Sequence, residues 1–217
     1  MYQTYVYDRI SRPDYIKTIK DQKGPAKKGN TVAKVEYATA CFYGIKINGK
    51  EAFKPDLKLA SKYVKELAEN ENTDGLVLYG LMQLTGNGAF QDTASAFNSL
   101  YKAVKQDPSN KDAQYLISHI FFKKDFQEVP SATAVNYLTH SGENDSHHIK
   151  EAMGELGILY YQGKYIDKNY TLALKFLIES AESYPPANKC LKECTKNLTD
   201  GEYCLEHFSR PKHIYRA

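Results

Sequence analysis

The chain has 217 residues, 42% hydrophobic and 25% charged, the composition of a chain that folds rather than stays disordered. Gly (13) and Pro (8) are too sparse for a low-complexity segment, and no apolar run approaches the roughly 20 residues that cross a bilayer. Net charge is only +3 but unevenly spread: residues 1–33 hold seven Lys and Arg against three Asp and Glu, residues 34–204 hold 19 against 22, and residues 205–217 three against one.

The N-terminus, MYQTYVYDRISRPDYIKTIK, has neither the apolar stretch nor the small-residue cleavage site of a secretory signal. Asp8 and Asp14 do not suit an acid-poor transit peptide, so the expected compartment is the cytoplasm, with the nucleus open. Residues 1–33 read as a basic, Tyr-rich arm and linker. In it Arg9, Arg12, Lys17, Lys20, Lys23, Lys27 and Lys28 alternate with Tyr2, Tyr5, Tyr7 and Tyr15, and Gly24 to Asn30 reads as flexible.

From residue 34 one pattern recurs. A first copy has Tyr37-Ala38, Ala40 and Gly44, then Asp56, Ala60, Tyr63 and Leu67-Ala68, with six extra residues in its turn within Ile45–Pro55. A second has Tyr79-Gly80, Met82 and Gly86, then Asp92, Ala96 and Ala103-Val104. A third has Ile117-Ser118 and Ile120-Phe121, then Ala134, Tyr137 and Ser141-Gly142, with Ser118 and Lys124 at the glycine positions. The fourth is the clearest: Leu156-Gly157-Ile158-Leu159-Tyr160-Tyr161-Gln162-Gly163, then Ala173, Phe176 and Ser180-Ala181. The apolar and small residues of each copy fall at helical spacing on either side of a turn, which predicts a helix hairpin. The matching residues Ala60, Ala96, Ala134 and Ala173 are 36, 38 and 39 apart. Pro186 suits a helix start, and residues 186–197 read as a helix capping the last repeat. Residues 34–197 are therefore expected as one repeat array, and 198–217 as a basic tail.

The pattern LGxLYxxG, a variable turn, A-x-x-F and a small pair resembles the Sel1-like repeat family, relatives of the tetratricopeptide repeats. The resemblance covers about residues 34–187. It implies an all-α fold, a right-handed α-solenoid of about four helix-turn-helix repeats with a C-terminal capping helix and extended basic ends. Disulfide-rich members of that family carry a cysteine pair in each repeat. Here Cys41 is the sole cysteine in the first three repeats, which points to a reducing compartment.

Four groups of residues are candidates for function. Phe42, Leu84, Phe122 and Tyr161 share one register of the first helix, where the fold does not require large apolar residues. They could line a concave binding face or pack between repeats. Arg9, Arg12, Lys17, Lys20, Lys27 and Lys28 at one end, and Arg210, Lys212 and Arg216 at the other, combine with nearby aromatics in a pattern that suits phosphate contacts and base stacking; such arms equally suit an acidic protein or the solenoid itself. Cys190, Cys194, Cys204 and His207 are a candidate metal set, but their spacing matches no standard zinc module, and buried thiols are the favoured reading. His147-His148 beside Glu143 and Asp145 suggest a metal or acid–base cluster, but a polar loop between repeats is the favoured reading. No nucleophile elbow or phosphate-binding loop is present, so neither catalysis nor a cofactor is expected. The expectation is a non-catalytic adaptor or assembly factor holding a protein partner on its concave face, with no membrane contact. The first alternative is a ribonucleoprotein-bound factor touching RNA through the basic ends, and the second a metal-dependent regulator or enzyme centred on Cys190, Cys194, Cys204 and His207.

Overall fold

The computed structural model describes residues 13–47, 50–124, 126, 128–142 and 148–200. Among these, ten helices and one short strand hairpin follow in chain order. They form two compact units, residues 1–148 and 149–217. The first holds α1 (Pro13–Lys27), α2 (Thr31–Tyr43), β1 (Ile45–Ile47), β2 (Lys50–Phe53), α3 (Leu57–Glu69), α4 (Thr73–Thr85), α5 (Thr93–Gln106), α6 (Lys111–Lys124) and α7 (Ser131–Ser141). The second holds α8 (Ile149–Gln162), α9 (Tyr170–Ser180) and α10 (Pro185–Asp200).

Asn and Asp start many of these helices because their side chains accept a first-turn N–H that has no helical partner. Asn30 accepts from Ala33, Asp56 from Leu59, Asn72 from Gly75, Asp92 from Ser95 and Asn169 from Leu172. The first helices of three repeats end on Gly44, Gly86 and Gly163, with φ of 67°, 76° and 68°. Those left-handed values favour glycine.

Packing follows the register read from the sequence. Ala60, Ala96, Ala134 and Ala173 are all fully buried, as are Val64, Leu100, Leu138 and Leu177 four residues later. Facing them, Ala38, Gly80, Ser118 and Gly157 let the two helices of a hairpin approach. A Cβ on Gly80 would lie 2.7 Å from Leu100 Cγ, and one on Gly157 2.8 Å from Leu177 Cγ. In the third repeat Ser118 is accommodated because its hydroxyl donates to the Tyr115 carbonyl at 2.7 Å. Buried Lys34 of α2 donates to Glu66 Oε1, tying the first hairpin together with an ion pair.

The segment Gly24–Asn30, expected as a flexible linker, is instead the end of α1 and a tight turn. Ile19 and Ala26 are buried seven residues apart, the spacing of Ala60 and Leu67 or of Ala96 and Ala103. α1 thus packs like the second helix of a repeat. At the position of Val64, Leu100, Leu138 and Leu177, however, it carries exposed Lys23. Lys23 shares the stripe of Ile19 and Ala26 at i, i+4, i+7, so the face of α1 that packs on α2 is apolar at its ends and charged between them. Pro25 lies inside the last turn of α1, and the chain turns away from the helix at Gly29, where φ is 92°.

In the second unit α8 and α9 form the hairpin, and α10 covers it as the expected capping helix. Ala187, Cys190 and Cys194 join Ala173, Leu174, Leu177 and Tyr184 in one apolar cluster.

Candidate functional site

The four residues of the inner-helix register have different environments. Phe42 and Leu84 are buried, at 9% and 4% exposure. The Phe42 ring meets Tyr43 edge-on, with centroids 4.7 Å apart. Phe122 and Tyr161 are half-buried. Phe122 sits edge-on to Phe121 at 5.1 Å, and Tyr161 packs on the α9–α10 cluster. Asn197 Nδ2 donates to the Tyr161 hydroxyl at 2.6 Å. Each unit therefore keeps one member of the register accessible, Phe122 in the first and Tyr161 in the second.

Of the basic positions, Lys17, Lys20, Lys27 and Lys28 are exposed on α1 and the turn after it, together with Lys23. Arg9, Arg12, Arg210, Lys212 and Arg216 lie outside the described residues. So do Cys204 and His207 of the candidate metal set. Cys190 and Cys194 face the α10 core, and burial pushes the Cys190 thiol up to about 11 and raises that of Cys194 as well. Metal ligation needs the thiolate, which this setting disfavours. Of the His147-His148 group, His148 is buried and stacked on Tyr115 with centroids 4.5 Å apart; Glu143, Asp145 and His147 are outside the described residues.

One site was not anticipated. Asp56 N–H donates to the Cys41 carbonyl at 2.7 Å, Asp92 N–H to Gln83 at 2.9 Å and Asn169 N–H to Tyr160 at 3.0 Å. In each case the acceptor lies three residues before the terminal glycine, so three turns close on the same bond. Residues 87–91 and 164–168 suffice to join two of them, whereas the first takes residues 45–55. The extra length forms the β1–β2 hairpin, with Lys46 opposite Glu51 and Ile47 opposite Lys50. Alternation in Ile45-Lys46-Ile47 followed by Asn48-Gly49 was its sequence signal, the favoured chemistry of a two-residue hairpin turn.

Beside the hairpin lies an open cavity of about 600 Å³ between α1, α2 and the start of α3. Its floor is Tyr37, Cys41, Phe53 and Leu59, and Lys23, Lys54 and Asp56 stand at its rim. Tyr37 meets Phe53 edge-on at 5.9 Å and Tyr63 at 6.2 Å, which fixes the floor. Burial, with the Asp56 carboxylate nearby, pushes the Cys41 thiol up to about 11, so it is a neutral wall rather than a nucleophile.

Successive helix hairpins with small residues at their contacts define a helical-repeat protein of the α-solenoid class. The particular fold is that of the Sel1-like repeat proteins, as two solved structures illustrate. A protective antigen present in uropathogenic Escherichia coli strains, which displays an SLR fold, aligns with 76% of this chain and 33% of its own at 22% identity and a TM-score of 0.57. A Sel1 repeat protein from Oxalobacter formigenes aligns with 89% of this chain and 76% of its own at 18% identity and a TM-score of 0.58. The chain thus spans about a third of the length of the first of these. No protein-family model and no curated protein matches it. Among the described residues, no helix is long and apolar enough to cross a membrane.

Proposed function

We propose that this chain is a non-catalytic protein-interaction module, an adaptor or assembly factor that holds a protein partner against its helices. The observation that carries the reading is the use made of its polar side chains. Asp56, Asp92 and Asn169 cap helices; Ser118, Ser141 and Ser180 bond to carbonyls of the helices that carry them; Glu155 accepts from Tyr184. These side chains are engaged in holding the repeat together, while stacked helix hairpins offer extended faces for a partner. Phe122 and Tyr161 are the proposed anchors on the inner helices, with Phe42 and Leu84 packed behind the register.

Affinity capture from source cells, repeated with purified components, tests this reading. Phe122→Asp and Tyr161→Asp should weaken capture of a defined protein while circular dichroism stays helical. Recovery of RNA alone, lost on nuclease treatment, would refute the reading in favour of the basic ends.

A further inference from the structure

We propose that the first-repeat hairpin and the cavity beside it form a docking site for an acidic peptide segment that carries an apolar anchor residue. The proposal rests on the protein-interaction reading and names the chemistry of one partner contact. The hairpin is not needed to close the turn: Asp92 and Asn169 make the turn-closing bond of Asp56 with six fewer residues between glycine and cap. What the insertion adds is surface. β2 delivers Phe53 to the cavity floor, and the chain leaving it delivers Lys54 to the rim, opposite Lys23 of α1.

Charge and shape then select the occupant. Lys23 and Lys54 are exposed and form no ion pair among the described residues. The Asp56 carboxylate, whose Oδ1 accepts from Leu59 N–H at 2.9 Å, offsets one of these two lysines. On the hairpin, exposed Lys46 and Lys50 outnumber Glu51. The rim therefore favours anions, while the floor of Tyr37, Phe53 and Leu59 favours an apolar side chain. An acidic peptide with one such residue satisfies both. A nucleic-acid strand would find few phosphate contacts here and would leave the apolar floor unfilled.

The probe is a fluorescein-labelled peptide, Asp-Glu-Asp-Phe-Asp-Glu, titrated with the full chain by fluorescence anisotropy. Binding should weaken by about tenfold or more when its Phe is replaced by Gly, and similarly when the protein carries Lys23→Glu with Lys54→Glu. Exchanging residues 45–55 for residues 87–91 should have the same effect with the helical content unchanged. Should that exchange fail to fold, the double lysine variant decides alone. Indifference to the Phe, indifference to the protein variants, or tighter binding of a thymidine oligonucleotide would each overturn the site. A defined protein partner captured equally well by the Lys23→Glu, Lys54→Glu chain would sink this site while leaving the interaction reading intact. Failure to capture any protein would count against that reading itself.

Discussion

The Asp56 N–H donates to the Cys41 carbonyl at 2.7 Å, closing a turn that runs through residues 45–55. Because Asp92 makes the same bond to Gln83 across the shorter turn 87–91, the closure is a property of the repeat and the hairpin is an addition to it. Transplanting residues 87–91 into the first repeat also removes buried Ile45 and the Phe53 ring packed on Tyr37, so it should keep the helical content while lowering the free energy of urea unfolding by about 2–5 kcal/mol. Loss of the helical content itself would mean that the turn closure depends on the hairpin.

Packing between the paired helices sets the next expectation. Ala173 is fully buried against the partner helix, so Ala173→Leu should overpack the hairpin and cost about 1–3 kcal/mol. Leu177→Ala, also fully buried, should instead leave a cavity and cost about 2–5 kcal/mol. Denaturant titration reads both, and unchanged midpoints would show that the register is misplaced.

The capping helix depends on a close approach at Gly154. A Cβ there would collide with the Tyr184 ring and lie 3.2 Å from Ala187 Cβ. Tyr184 in turn donates its hydroxyl to Glu155 Oε1 at 3.1 Å in a buried setting. Gly154→Ala should destabilise by about 1–3 kcal/mol despite the better helix propensity of alanine. Tyr184→Phe should cost about 1–3 kcal/mol by removing a buried donor from a carboxylate. Hydrogen exchange in α10 should rise in both variants.

How much of this was legible beforehand varies with the residues. Ala60, Ala96, Ala134 and Ala173 mark the repeat because a close helix contact tolerates only small side chains, so the pattern survives in composition. α1 escaped because Lys23 stands where the other second helices carry an apolar residue, leaving Ile19 and Ala26 as the buried pair among its described residues within a basic stretch. Gly24 and Pro25 then resembled a linker. The hairpin was hidden inside what looked like extra turn length, although Asn48-Gly49 announced it. For the candidate site, exposure of the Phe42 register could not be read from spacing, since whether a large apolar residue faces solvent or a neighbouring helix depends on how the hairpins stack.

Glu151 gives the molecule a pH dependence. Burial is the main cause that raises its pKa above the ordinary glutamate value, and the Glu155 carboxylate adds to it. A raised folded-state pKa means the stabilising contribution is complete below the unfolded-state value and is lost as pH rises through the folded one. Glu151→Gln should therefore be more stable than the parent at neutral pH. That advantage should vanish below about pH 4, where both states hold the proton. Thermal melts across that range check the sign.

The thiols offer a further check. With the Cys190 thiol held at about 11, a thiol reagent near neutral pH should modify Cys190 and Cys194 slowly in the folded chain and rapidly once denaturant is added. A zinc chelator should leave the melting temperature unchanged; a marked fall would restore Cys190, Cys194, Cys204 and His207 as a metal site.

The central claim is that the chain works by binding a protein, and the salt dependence of that binding tests it most directly. Once a partner has been captured and purified, its affinity should be measured between about 50 and 200 mM salt. The account predicts a fall of less than about tenfold, since apolar anchors and a few lysines release few counterions. A fall of about a thousandfold or more, with binding lost on nuclease treatment, would contradict it and identify a phosphate backbone as the partner surface.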